Sequence, residues 1–101
     1  MSEKQYRDKI ASIMKQQGAE ETALAKARSA AAKHRADAAK ELAKIMPRTS
    51  ASMARTYRRN AESAESRAAR EDANVARAST KLGSLAKDLA TAQSNLEREM
   101  Q

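Results

Sequence analysis

The chain has 101 residues, a formal net charge of +7, one proline, two glycines, no cysteine, no Phe or Trp, and only Tyr6 and Tyr57 as aromatics. That length fits one domain, 1–101, and the dominance of Ala, Lys, Arg and Glu is the composition of long or coiled helices, not of a sandwich or an aromatic-filled core. Without cysteine there is no disulfide scaffold, thiolate nucleophile or cysteine-ligated zinc; with no long apolar run and no signal segment, a cytoplasmic protein without a membrane span is expected.

Ser2-Glu3-Lys4-Gln5 reads as a capping box in which Gln5 reaches back to Ser2, so helix one is expected from about residue 3. Tyr6, Ile10, Ile13 and Met14 form an apolar stripe. The pattern thins from Lys15 to Thr22, where Gly18 costs about 1 kcal/mol relative to alanine. Leu24, Ala27, Ala31, Ala38, Leu42 and Ile45 resume the stripe, interrupted near His34 and Arg35.

Pro47, the single proline, lies almost at the midpoint. It lacks a backbone donor, clashes with the carbonyl four residues back, and biases Met46 toward an extended conformation, so helix one is expected to stop near residue 45. Residues 46–50 then form a turn, with Thr49 and Ser50 as two candidate N-cap hydroxyls for a second helix over about 51–99. A connection this short suits an antiparallel helical hairpin; the alternative is one rod kinked at the proline.

Along helix two, apolar positions alternate at spacings of four and three through Tyr57, Ala61, Ala64, Ala68, Glu71, Val75, Ala78, Leu82, Leu85, Leu89, Ala92 and Leu96, with Glu71 the one misfit. This 3.5-residue repeat is a coiled-coil signature. Folding at the proline pairs Ile10 with Leu89, Leu24 with Val75, Ala31 with Ala68, and Ala38 with Ala61, and brings Leu42 near Tyr57 and Gly18 near Gly83. Large side chains then face large ones at the open end, and small face small near the middle. The expected fold is all-α, a long antiparallel two-helix coiled coil whose seam is Ile10, Ile13, Leu24, Leu42, Ile45, Tyr57, Val75, Leu82, Leu85, Leu89 and Leu96. Alanines off that seam either form a second face, joining two hairpins in a four-helix bundle, or simply favour helix.

No constellation for catalysis emerges. His34 has only Asp37 at a helical ligand spacing, Glu62 and Glu65 read as a solvated face on which Glu62 is expected to pair with Arg58 or Arg59 at spacings of four and three, and neither glycine lies in a phosphate-loop pattern. The charge is uneven. Lys26 to Arg59 holds ten Lys or Arg against Asp37 and Glu41, net +8, while the remainder carries ten positive and eleven negative residues. Arg48, Arg55, Arg58 and Arg59 are the candidate polyanion-binding residues, since basic groups neutralise phosphates; Tyr57 beside them could stack on a base, but one tyrosine is a poor platform and Tyr57 is already a seam residue. An amphipathic helix lying on an anionic membrane is disfavoured because the apolar face is mostly alanine.

Pro47-Arg48-Thr49-Ser50-Ala51-Ser52, followed by an Arg-rich helix and a Leu-bearing coiled coil, resembles the N-terminal helical regions of bacterial multidomain proteins that precede TIR-like or other effector domains, over most of residues 20–96. The resemblance implies a region that holds chains together or docks them. Small secreted hairpins of the WXG type are of similar length, but this turn has no Trp-x-Gly.

The expected function is therefore a non-enzymatic structural or protein–protein interaction module, self-associating or docking another helical protein through its seam. The alternative is a basic helical module that binds nucleic acid or another polyanion near the turn. No cofactor, metal or small-molecule substrate is expected.

Overall fold

The computed structural model describes residues 1–101 and is an all-α helical hairpin of two helices, α1 (Glu3–Ala43) and α2 (Ala51–Met100), without strands. The N-terminal capping box forms reciprocally: the Ser2 amide donates to Gln5 Oε1 at 2.8 Å, and the Gln5 amide donates to Ser2 Oγ at 3.2 Å. Two of the amides that a helix start leaves without intrahelical partners are thereby satisfied.

Helix α1 stops at Ala43, two residues before the expected end. The Lys44 and Ile45 amides instead donate to the carbonyls of Glu41 and Leu42, three residues back, tightening the last turn as the chain approaches Pro47. Pro47 occupies the second position of a turn closed by the Thr49 amide on the Met46 carbonyl at 2.9 Å, where its fixed φ suits the geometry and its missing N–H leaves nothing unsatisfied. Of the two candidate hydroxyls, Ser50 is the N-cap of α2, accepting from the Met53 amide at 3.2 Å. Thr49 closes the turn, accepting from the Met46 amide at 2.8 Å. No residue has positive φ, so the reversal requires no glycine.

The chain forms two compact units. In the unit made of Met1–Leu24 and Ala76–Gln101, the buried residues are Ile13, Ala78, Leu85 and Ala92, with Ile10 and Leu89 packed against the Ile13–Leu85–Ala92 cluster. Branched side chains supply the apolar area here. In the unit Ala25–Val75, every buried side chain is an alanine: Ala27, Ala31, Ala38, Ala54, Ala61, Ala64 and Ala68. Ala38, Ala61 and Ala64 form one cluster, so the backbones approach through methyl groups and the local shape match replaces bulk.

Two sequence expectations are corrected. Leu42 is off the seam and 50% exposed. The three-and-four alternation through Ala31, His34 and Ala38 places Glu41 at the next inward position, and the residue after it is turned outward. Met14 is likewise exposed, beside buried Ile13. At Gly18 and Gly83 there is open space: a Cβ added at either would meet no atom within 4 Å.

Candidate functional site

The remaining seam positions lie inward. Ile13 and Leu85 are buried, and Ile10, Leu24, Ile45, Tyr57, Val75, Leu82, Leu89 and Leu96 are half-buried. The helix-two alternation read from the sequence coincides with the inward-facing positions of α2, including the misfit Glu71, which is half-buried. Each unit thus closes its own part of the seam, leaving the outer helix faces and much of the turn exposed.

Near the turn, Glu41 occupies the last inward position of α1. The Glu41 carboxylate accepts from Lys44 Nζ at 3.0 Å and from Asn60 Nδ2 at 3.5 Å. The Lys44 hydrogen bond, aided by Asn60 and by the lysine charge, holds its carboxyl below the usual glutamate range against an opposing desolvation. Lys44 also sits over the Tyr57 ring, 5.5 Å from its centroid, a cation–π contact. Tyr57 is therefore a half-buried seam ring covered by an ammonium group, not a free platform for a nucleic-acid base.

The four arginines of the candidate polyanion cluster behave differently. Arg48, Arg55, Arg58 and Arg59 are all exposed, and none forms a hydrogen bond or ion pair within the chain, so the pairing of Glu62 with Arg58 or Arg59 expected from their spacing does not form. Arg35, by contrast, is bonded to Asp72 across the helices. His34 is half-buried with its Nδ1 buried and unpartnered, and no three His, Cys, Asp or Glu residues gather as a metal site.

Two shallow grooves flank the helices of this unit. One is polar, lined by Asp37, Lys40, Glu41, Lys44, Asn60 and Arg67 among others. The other has an apolar floor of Leu42, Ala61 and Ala69 edged by Arg58, Glu62 and Glu65. Sequence reading passed over the exposure of Met46 and Met53 beside the turn. The available signal was that neither falls on the three-and-four alternation of its neighbours. No helix is long and apolar enough to cross a membrane. No protein family matches the chain, and neither a curated protein nor a solved structure matches it.

Proposed function

We propose that the chain is a non-enzymatic helical-hairpin module that self-associates or docks another helical protein. The observation carrying this reading is that the apolar seam is satisfied within the chain while small side chains, among them Ala32, Ala39, Ala69 and Ala73, are exposed on the outer faces. Small outer residues let another helix approach closely, as in bundles built from helical hairpins. Contact is then through these faces, because the seam is occupied. Such a role agrees with the docking task implied by the resemblance to regions preceding bacterial effector domains. Light scattering over a concentration series tests self-association: mass should rise toward a dimer, and a strict monomer at high micromolar concentration removes that part of the proposal.

A second reading, binding of a polyanion at the turn-proximal half, is favoured by the four exposed arginines that lack intramolecular partners. Gel shifts in rising salt test it, since binding through phosphate contacts weakens steeply as counterions compete. Undetectable binding at low salt refutes it.

A further inference from the structure

The chain exposes six large apolar side chains, and three of them, Leu42, Met46 and Met53, surround the turn of the unit Ala25–Val75. Met46 is 63% exposed and Met53 44%. Leu42 is the penultimate residue of α1 and Met53 lies in the first turn of α2, so at about 1.5 Å rise per residue both stand within about 5 Å of their helix ends. They flank the seam on opposite sides. Leu42 lines the groove shared with Arg58, whereas Met53 precedes Asn60 and Arg67, which line the other groove, by seven-residue steps. No single groove collects both together with Met46; a surface meeting the turn end-on does.

Behind this apolar rim the charge is positive. Arg48 lies in the turn itself, Arg55, Arg58 and Arg59 follow within the first three turns of α2, and all four are exposed and unpaired. Two acids border this cluster: Glu41, engaged by Lys44 and Asn60, and Glu62, one turn beyond Arg58 and forming no ion pair with it, so the four arginines still outnumber the acids beside them. A nucleic acid would use the arginines but gain little from exposed thioethers and a leucine. An anionic bilayer uses both: apolar tips enter the boundary below the headgroups while arginines remain at the phosphates.

We infer that this turn docks end-on to an anionic lipid bilayer, with Met46, Met53 and Leu42 inserted among the headgroups and Arg48, Arg55, Arg58 and Arg59 on lipid phosphates. This inference rests on the free arginines of the polyanion reading and names the polyanion. It also differs from the amphipathic helix lying flat that the alanine-rich faces disfavour, because the contact is made by the turn and not by a helix face.

The test is co-sedimentation of the full chain with vesicles of phosphatidylcholine containing phosphatidylserine, beside phosphatidylcholine alone, with gel shifts on a DNA duplex as a parallel arm. The full chain should bind the anionic vesicles at least about tenfold more tightly than the neutral ones, and rising salt should release it. Met46→Gln/Met53→Gln leaves the charge unchanged and should weaken anionic-vesicle binding about tenfold while leaving any DNA binding unaltered; Met46→Leu/Met53→Leu should retain vesicle binding. Circular dichroism checks that both variants remain helical. Vesicle binding unchanged in the glutamine variant, or DNA binding without vesicle binding, overturns the lipid inference while the polyanion reading stands. Failure to bind both vesicles and DNA overturns both.

Discussion

Leu42 and Leu85 look equivalent in the sequence, and the structure separates them. Leu85 is 4% exposed in a cluster with Ile13 and Ala92, whereas Leu42 is 50% exposed at the rim of an open groove. Truncating Leu85 to alanine removes buried methyl groups and leaves a gap. Such changes cost about 2–5 kcal/mol, and a two-helix interface, free to close partly, belongs near the lower end, about 2–3 kcal/mol. Leu42→Ala loses about half the transfer energy of a leucine and leaves no enclosed cavity, while alanine is the better helix former, so the net cost should stay below about 1 kcal/mol. Urea titration followed by helical circular dichroism measures both. The Leu85 variant should shift the midpoint by on the order of 1 M, the Leu42 variant by a small fraction of that. Equal shifts, or a larger one for Leu42, would refute the assignment of Glu41 in place of Leu42 to the inward position.

Gly18→Ala and Gly83→Ala should each raise stability by about 1 kcal/mol in the same titration, since neither new methyl meets an atom within 4 Å and helical glycine is unfavourable. A loss of stability would mean that the helices need the absent side chain. Ser50→Ala should cost about 1 kcal/mol by leaving the Met53 amide without its cap, and Ser50→Thr should recover most of it. Because the folded-state pKa of Glu41 is lowered, its contribution is fully present above the ordinary glutamate range and is lost as pH falls through the lower folded value. Glu41→Gln should therefore flatten the acid side of the stability–pH profile; an unchanged slope on that side would show that its links to Lys44 and Asn60 contribute nothing.

The inward face of α2 was legible because twelve successive positions from Tyr57 to Leu96 keep one unbroken alternation, and a helix with that repeat has only one face to bury. Ser2 with Gln5 and Pro47 with the hydroxyls behind it were equally legible, since capping and the loss of a proline N–H are local chemistry. The phase of α1 near the turn was not. After Ala38, both Leu42–Ile45 and Glu41–Ile45 satisfy spacings of three and four, and hydrophobicity favours the wrong one. Only the folded chain, which brings Asn60 within reach of the Glu41 carboxylate, shows the glutamate inward and the leucine outward. The free arginines at the turn are likewise a tertiary result, because composition counts charges but does not say which of them the fold leaves without a partner.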